Sequence, residues 1–443
     1  MQKQAQPLIS HQSGPLNGTV TPPGDKSISH RAIMLGGIAN GTTNITGLLE
    51  GEDVLCTVAA LKALGATITK QGSSWQVKGT GLQNMRAPDS VVDVGNSGTS
   101  ARLLIGLLGT QKFSSSFTGD ASLCKRPMGR VMTPLEQMGS TFVSEVGGRL
   151  PLTVTGAAQP KPISYQLPVA SAQVKSAIML AALNAAGTTT VIEAAPTRDH
   201  TERMLRHFGV KVEVKPTAKG EAISVTGPVE LTARDVIVPG DISSAAFPMV
   251  AALLRSGSHV TLQNVGLNPR RAGLVQTLQE MGADITLTNQ REAGGEPVAD
   301  LVVKGSVLRG VTVPADRAPS MIDEFPVLAM AAACATGTMR MCGLGELRVK
   351  ESDRLALVAD GLKACGVKVE IEGDDLIVHG NGQPPRGGAT ILTAMDHRIA
   401  MSFLVLGIAT SAPVTIDDGS YIATSFPTFI AMMNGLGAKI SAL

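Results

Sequence analysis

Apolar residues fall along this chain in two kinds of block, and both recur. The first kind is a run of small and aliphatic residues with little polar interruption: "SHRAIMLGGIANGTT", "TSARLLIGLLGTQ", "AQVKSAIMLAALNAAGTT", "SSAAFPMVAALLRSGS", "DEFPVLAMAAACATGT" and "DHRIAMSFLVLGIATSA". A helix that is apolar on nearly every face belongs inside a protein, so each run predicts a buried helix, and the small residues after it predict a turn into a strand. The second kind is an amphipathic segment closed by a hydrophobic pair, a Gly and a strand start: "ALKALGATI", "PLEQMGSTF", "MLRHFGVKV", "TLQEMGADI", "GLKACGVKV" and "MMNGLGAKI". Its glycines, Gly65, Gly139, Gly209, Gly282, Gly366 and Gly437, return at intervals of 70 to 84 residues. Gly accepts the left-handed backbone just beyond a helix end, so each copy predicts a helix that stops there and a strand that follows. The two blocks alternate in phase. The predicted unit is strand, buried helix, strand, amphipathic helix, strand, present six times and grouping as three units per domain. A stacked solenoid fits less well, because its units would be shorter and more alike.

With 443 residues the chain exceeds what one core organises, which agrees with two domains of about 200 residues each. One Trp, two Tyr and nine Phe against 49 Gly favour close-packed small-residue helices, and leave little material for the aromatic platforms that stack nucleic-acid bases. The formal charge is only +2, so no global field points to nucleic acid or to an acidic membrane, and any anion selectivity has to be local. The five cysteines are scattered without a C-x-x-C pair, which fits a reducing compartment. The amino-terminal residues lack an apolar leader-like core, and no apolar stretch is long enough to span a bilayer. A cytoplasmic protein is expected.

Polar residues collect at the amino ends of the buried helices. Lys26, Ser27 and Arg31 open the first; Asn96, Ser97, Gly98 and Thr99 the second; Ser171, Ala172 and Gln173 the third. Asp241, Ser243 and Ser244 open the fourth, Asp323 and Glu324 the fifth, and Asp396, His397 and Arg398 the sixth. Capping alone accounts for a Ser or an Asp at such a place. It does not account for Lys26, Arg31 or Arg398, whose charge is wrong for that end of a helix; a bound phosphate or carboxylate would explain them. Two further charged clusters, "CKRPMGR" and "RVKESDR", supply Lys125, Arg126 and Arg130, then Arg348, Lys350, Glu351, Asp353 and Arg354. Either is a solvated face or an anion clamp; Arg next to Pro and Gly suits the clamp. Neither a nucleophile elbow nor a nucleotide P-loop occurs, and no His pair has metal-ligand spacing. Cys124 beside two cations reads as an ordinary loop residue rather than a nucleophile.

Seven segments in order, "PGDKSISHR", "GNSGTSARL", "KRPMGR", "SAQVKSA", "SMIDEFP", "RVKESDR" and "MDHRIAMSF", resemble those of the 5-enolpyruvylshikimate-3-phosphate synthase family, in a form similar to its class II branch. The resemblance covers essentially the whole chain. It implies two inside-out α/β domains, each of three βαβαβ-type repeats around buried small-residue helices: residues 1–22 with 241–443, and residues 23–240, with the active site in the cleft between them and closure on the first substrate. It implies that Lys26, Ser27, Arg31, Ser171, Ala172, Gln173, Arg198, Asp323 and Lys350 bind shikimate 3-phosphate. Phosphoenolpyruvate would meet Lys26, Gly98, Arg126, Gln173, Glu351, Arg354 and Arg398. By the same resemblance Asp323 is the base that takes the proton of the 5-hydroxyl, and Glu351 or Lys26 protonates C3. Thr424 stands where another branch has a Lys and Glu346 where it has an Asn, while Gly98 is Gly where some glyphosate-tolerant members carry Ala.

Two other readings remain at this point. A UDP-N-acetylglucosamine enolpyruvyl transferase would share the fold and the chemistry, but that family places a reactive Cys further upstream of its Arg than Cys124 lies from Arg126. A noncatalytic anion-binding scaffold would gain nothing from Asp323 and Glu351 beside its cations. The expected partners are two small-molecule substrates, with no nucleic acid, membrane, metal or cofactor, and the expected working form is a monomer.

Overall fold

A computed structural model describes residues 4–218 and 220–443. Among these residues the chain forms twelve α-helices: α1 (Lys26–Ile38), α2 (Glu52–Ala63), α3 (Gly98–Leu108), α4 (Gly129–Gln137), α5 (Ala172–Ala182), α6 (His200–His207), α7 (Ile242–Leu253), α8 (Gly273–Glu280), α9 (Phe325–Cys334), α10 (Arg354–Ala364), α11 (His397–Gly407) and α12 (Phe429–Leu436). The odd-numbered helices are the six small-residue runs and the even-numbered ones are the six Gly-terminated segments. All twelve residues of α7 and all eleven of α11 are buried. Small side chains permit this density: a methyl group added at Gly106 of α3 would stand 2.4 Å from the carbonyl oxygen of Ala177 in α5.

Every even-numbered helix ends in the same way. Gly65, Gly139, Gly209, Gly282, Gly366 and Gly437 all have positive φ, between 85° and 112°. The amide of each glycine and the amide after it bond back to the last turn, as in Gly65 N to Lys62 O and Ala66 N to Leu61 O, both 3.0 Å, and the pattern holds at all six sites. This double bond satisfies helix carbonyls that would otherwise have no partner. At Gly209 an added methyl would meet nothing within 4 Å, and φ is +89°, so its penalty is purely conformational. Gly209→Ala is therefore expected to cost about 1–2 kcal/mol, read as a lower urea midpoint at unchanged slope; an unchanged midpoint would show that the left-handed conformation is not required there.

The strands form six four-stranded sheets among the described residues, plus one two-stranded pair. In the second repeat the order across the sheet is Val92–Asp93, Ser114–Thr118, Arg149–Thr155, Thr141–Glu145, with the first pair parallel and the others antiparallel. In sequence the second, third and fifth repeats are thus β-α-β-α-β-β, one strand longer than the unit expected, because the strand after the amphipathic helix turns back as a hairpin. The first and fourth share the hairpin but take their edge strand from a distant segment, and in the sixth Leu8–His11 stands in for the return strand. The short parallel strand at the edge recurs in all six sheets.

Two compact units result. One comprises the segment up to Asp25, Pro239–Glu292 and Glu296–Leu443; the other comprises Lys26–Val238 and Ala293–Gly295. Each has its own hydrophobic core. In each, sheets are completed by strands distant in sequence, two of them in the first unit. Leu8–His11 inserts between Val414–Ile416 and Lys439–Ala442, and Asn17–Val20 pairs with His259–Gly266. In the second unit Val236–Ile237 pairs with Thr42–Thr46. These insertions pair backbone groups that an open sheet edge would leave exposed. Residues 23–25 and 239–241 run side by side, with Asp25 N to Pro239 O at 2.7 Å and Asp241 N to Pro23 O at 2.8 Å.

Candidate active site

In the unit Lys26–Val238, α1, α3 and α5 start at Lys26, Gly98 and Ala172, so the polar residues of the sequence do stand at helix amino ends. Capping explains some of them. Ser97 Oγ accepts the amide of Ser100 at 3.1 Å and Ser171 Oγ that of Val174 at 3.4 Å. A buried hydroxyl chain ties three helices together: His30 Nδ1 to Thr57 Oγ1 at 2.8 Å, Thr57 Oγ1 to Ser100 Oγ at 2.7 Å, and Ser100 Oγ to Ser97 Oγ at 2.7 Å.

The cations are held by other means. Lys26 Nζ lies 3.0 Å from Asp53 Oδ2, both largely buried. Arg31, 5% exposed, donates to Thr201 Oγ1 at 2.7 Å, to Ser176 Oγ at 2.8 Å and to the carbonyl of Ser27 at 2.9 Å. Arg126 donates to Asn96 Oδ1 at 2.7 Å and Ser122 Oγ at 3.1 Å, and Asn96 in turn donates to Asp120 at 2.6 Å. Lys125 and Arg130 of the same cluster are exposed. Gln173 is gripped at both ends, its Oε1 by Arg102 at 3.1 Å and its Nε2 by Thr99 at 3.0 Å. A methyl at Gly98 would stand 2.7 Å from Arg102 Nη1 and 3.3 Å from Arg126 Nη1, so it would displace the ends of those two side chains. The starts of α3 and α5 therefore bring Gly98, Arg126 and Gln173 together, while Arg31 is anchored at α6. Arg198 lies half-buried in the loop before α6, and none of these bonds joins it to the others.

The other unit gathers its candidates on one guanidinium. Arg354, the first residue of α10 and 1% exposed, lies 2.8 Å from Asp396 Oδ2 and 3.2 Å from Asp323 Oδ1, and also pairs with Glu351. Lys350 Nζ is 4.0 Å from Asp323 Oδ1, and Arg398 donates to the Asp323 carbonyl at 3.3 Å. Burial opposes the charge of Arg354, but Asp396, Glu351 and Asp323 outweigh it and hold its pKa above the usual guanidinium value. Burial likewise disfavours the Asp396 carboxylate, yet Arg354 holds its pKa below the ordinary range. Asp396 also caps α11 by accepting the amide of Arg398 at 2.9 Å. All five candidates from this unit, Asp323, Lys350, Glu351, Arg354 and Arg398, thus lie in one network.

Sequence reasoning missed several members. Asp53 and Arg102 are partners of Lys26 and Gln173; Arg102 lies one helical turn after Gly98, a spacing that could have shown it. Asp396 had been seen only as a helix opener. Arg271 was overlooked altogether: it is 3% exposed and pairs with Asp25 at 2.5 Å and Asp241 at 3.3 Å, with Glu324 at 3.7 Å. Its position in "NPRRAGL" carries no local signal of such a role.

Comparison with known proteins accords with this arrangement. The model of the EPSP synthase (3-phosphoshikimate 1-carboxyvinyltransferase) family matches residues 10–433. The 3-phosphoshikimate 1-carboxyvinyltransferases of Paramagnetospirillum magneticum and Methylorubrum populi are 62% and 59% identical to this chain, with 99% of it and 98% of each relative covered. The solved EPSP synthase of Acinetobacter baumannii superposes with a TM-score of 0.87 at 48% identity, covering 98% of this chain and all of that one. No helix among the described residues is long and apolar enough to cross a membrane. Sixfold repeat, helix-end cations and kinship along nearly the whole length converge, and the chain belongs to the EPSP synthase family.

Proposed function

We propose that this protein transfers the enolpyruvyl group of phosphoenolpyruvate to the 5-hydroxyl of shikimate 3-phosphate, with phosphate as the leaving group, and that residues of both units act on the same two substrates. The observation that carries the residue assignment is the network on Arg354, where two carboxylates suited to proton transfer are fixed among three cations. Lys26, Ser27, Arg31, Ser171, Ala172, Gln173, Arg198, Asp323 and Lys350 take the acceptor. Lys26, Gly98, Arg126, Gln173, Glu351, Arg354 and Arg398 take phosphoenolpyruvate.

Asp323 is the base. Pairing with Arg354 at 3.2 Å favours its carboxylate form, which is the form able to accept the hydroxyl proton. As that proton leaves, the acceptor oxygen bonds to C2 of phosphoenolpyruvate and the C2–C3 π electrons take a proton at C3. Glu351 and Lys26 are the two groups able to deliver it. The tetrahedral adduct then breaks its C2–O bond to phosphate while C3 returns a proton, restoring the double bond. Lys26, Arg126, Arg354 and Arg398 stabilise the charge that moves onto the departing phosphate. These cations are held in place before substrate arrives, so little reorganisation accompanies the reaction.

Every residue in this scheme comes from one chain, so a monomer suffices, and all five cysteines are free thiols, as a cytoplasmic location would have them. The test is phosphate release from phosphoenolpyruvate, with shikimate 3-phosphate and UDP-N-acetylglucosamine as parallel acceptors. Release that depends on shikimate 3-phosphate is the expected result; release only with the UDP-sugar would overturn the acceptor, and release with neither would overturn the function.

A further inference from the structure

Lys175 is 0% exposed, yet it is a cation, the fourth residue of a helix that packs against the core. Its ammonium lies 2.9 Å from Glu193 Oε1 and 2.7 Å from Glu202 Oε1, two carboxylates that are buried as completely. It also donates to the carbonyl of Thr197 at 3.3 Å, and Thr197 Oγ1 donates to Glu193 Oε2 at 2.7 Å. Three elements meet here: α5 supplies Lys175, the end of strand Gly187–Glu193 supplies Glu193, and α6 supplies Glu202.

Packing alone gives no reason for such a cluster, since apolar side chains of similar volume hold a core at least as well as a buried ion pair. What the charges add is direction. Of the loop 194–199, only Thr197 is buried, with its hydroxyl and its carbonyl both fastened to the cluster. The next residue is Arg198. On α5 the residue after Lys175 is Ser176, which accepts from Arg31 at 2.8 Å and bonds Thr201 of α6 at 2.7 Å. Consecutive residues of one buried helix thus serve both cations, Ser176 by touching Arg31 and Lys175 by way of the residue preceding Arg198.

We propose that Thr197 is a positioning residue, locked by Glu193 and Lys175, that aims Arg198 at the anionic acceptor. The inference rests on the assignment of Arg198 to acceptor binding made above. Thr197 itself touches no substrate; it fixes the backbone from which the guanidinium projects. Its removal should therefore weaken acceptor binding and leave the chemical step intact.

The experiment compares Thr197→Val, Thr197→Ser, Arg198→Ala and the double variant Thr197→Val with Arg198→Ala in the full-length protein, with KM for each substrate and kcat measured separately. Thr197→Val is expected to raise KM for shikimate 3-phosphate about 5- to 20-fold, less than the full loss of a hydrogen bond to a charged group because Lys175 still holds the Thr197 carbonyl. KM for phosphoenolpyruvate and kcat should hold within about twofold, and Thr197→Ser should restore the native value. In the Arg198→Ala background the Thr197→Val change should have no further effect, because the two act as one unit. Glu193→Gln, which keeps the side-chain volume, serves if Thr197→Val does not fold, and should raise the same constant and be silent in the same background. An unchanged acceptor KM with only a lowered melting temperature would make Thr197 structural and overturn the proposal. Additive effects would overturn it as well. An unchanged KM in Arg198→Ala alone would overturn the underlying assignment, and this inference with it.

Discussion

Asp323→Ala is expected to lower kcat by about 10²- to 10⁴-fold, the usual contribution of a positioned general base. The Michaelis constants should move far less, by under about tenfold, because the remaining cations still hold both substrates. The geometry supports the asymmetry. The Asp323 side chain meets Arg354 at 3.2 Å and Lys350 at 4.0 Å, whereas Arg398 reaches only its backbone carbonyl, which the substitution leaves in place. Arg354 also keeps Asp396 and Glu351, so the network loses one carboxylate without losing its centre. Steady-state kinetics with both substrates varied decide the matter: a kcat within about threefold of the native value would remove Asp323 from the base role.

Arg354→Gln should have the largest effect on stability, about 3–5 kcal/mol, the cost of leaving buried carboxylates without their cation. Asp396, 1% exposed, would then face Glu351 and Asp323 with no guanidinium between them. The pH dependence should change sign too. In the native protein the Asp396 pKa lies below its ordinary 3.8, so its contribution is fully present above that value and is lost as pH falls through the depressed one. Without Arg354, burial dominates and raises the pKa, so the folded state binds the proton more tightly than the unfolded state. Stability should then decline as pH rises from about 5 to 8. Urea midpoints across that range test both parts; a loss under about 1 kcal/mol, or a flat profile, would contradict the account of Arg354 as the charge that balances this cluster.

Asp241 shows the opposite case within the native protein. It caps α7 as Asp396 caps α11, accepting the amide of Ser243 at 2.9 Å, and it too pairs with an arginine. Burial and the neighbouring Asp25 nevertheless push its pKa up, against the opposing pull of Arg271 and Arg398. Two residues with the same local role in the repeat thus titrate in opposite directions, and only their neighbours differ.

Much of the architecture was legible because it is written locally. The six glycines required no partner to be recognised: a hydrophobic pair, a Gly and a β-branched or small residue describe a helix end by themselves, and every one adopts the left-handed backbone. The buried helices were legible for the same reason, since a run such as "FPVLAMAAAC" has no face for water. The return strands of the hairpins, such as Ser74–Lys78 and Arg149–Thr155, were not, because the recurring signal stops at the Gly and the strand start that follows it, and the turn beyond differs from copy to copy.

The site divides along the same line. Lys26, Arg31 and Arg398 could be singled out because a cation at a helix amino end contradicts local electrostatics, and a contradiction of that kind is visible in a string of letters. By itself the sequence determined the element types, the sixfold repeat, the helix ends and which side chains were out of place there, since each depends on residues within a turn or two. Only the tertiary structure decided that Leu8–His11 completes a sheet with Val414–Ile416 and Lys439–Ala442, that Asp323 and Asp396 converge on Arg354, and that Arg271 holds Asp25 and Asp241. Such pairings join segments tens to hundreds of residues apart. Nothing in the local period of either segment specifies its partner; the choice belongs to the packed core that brings them within bonding distance.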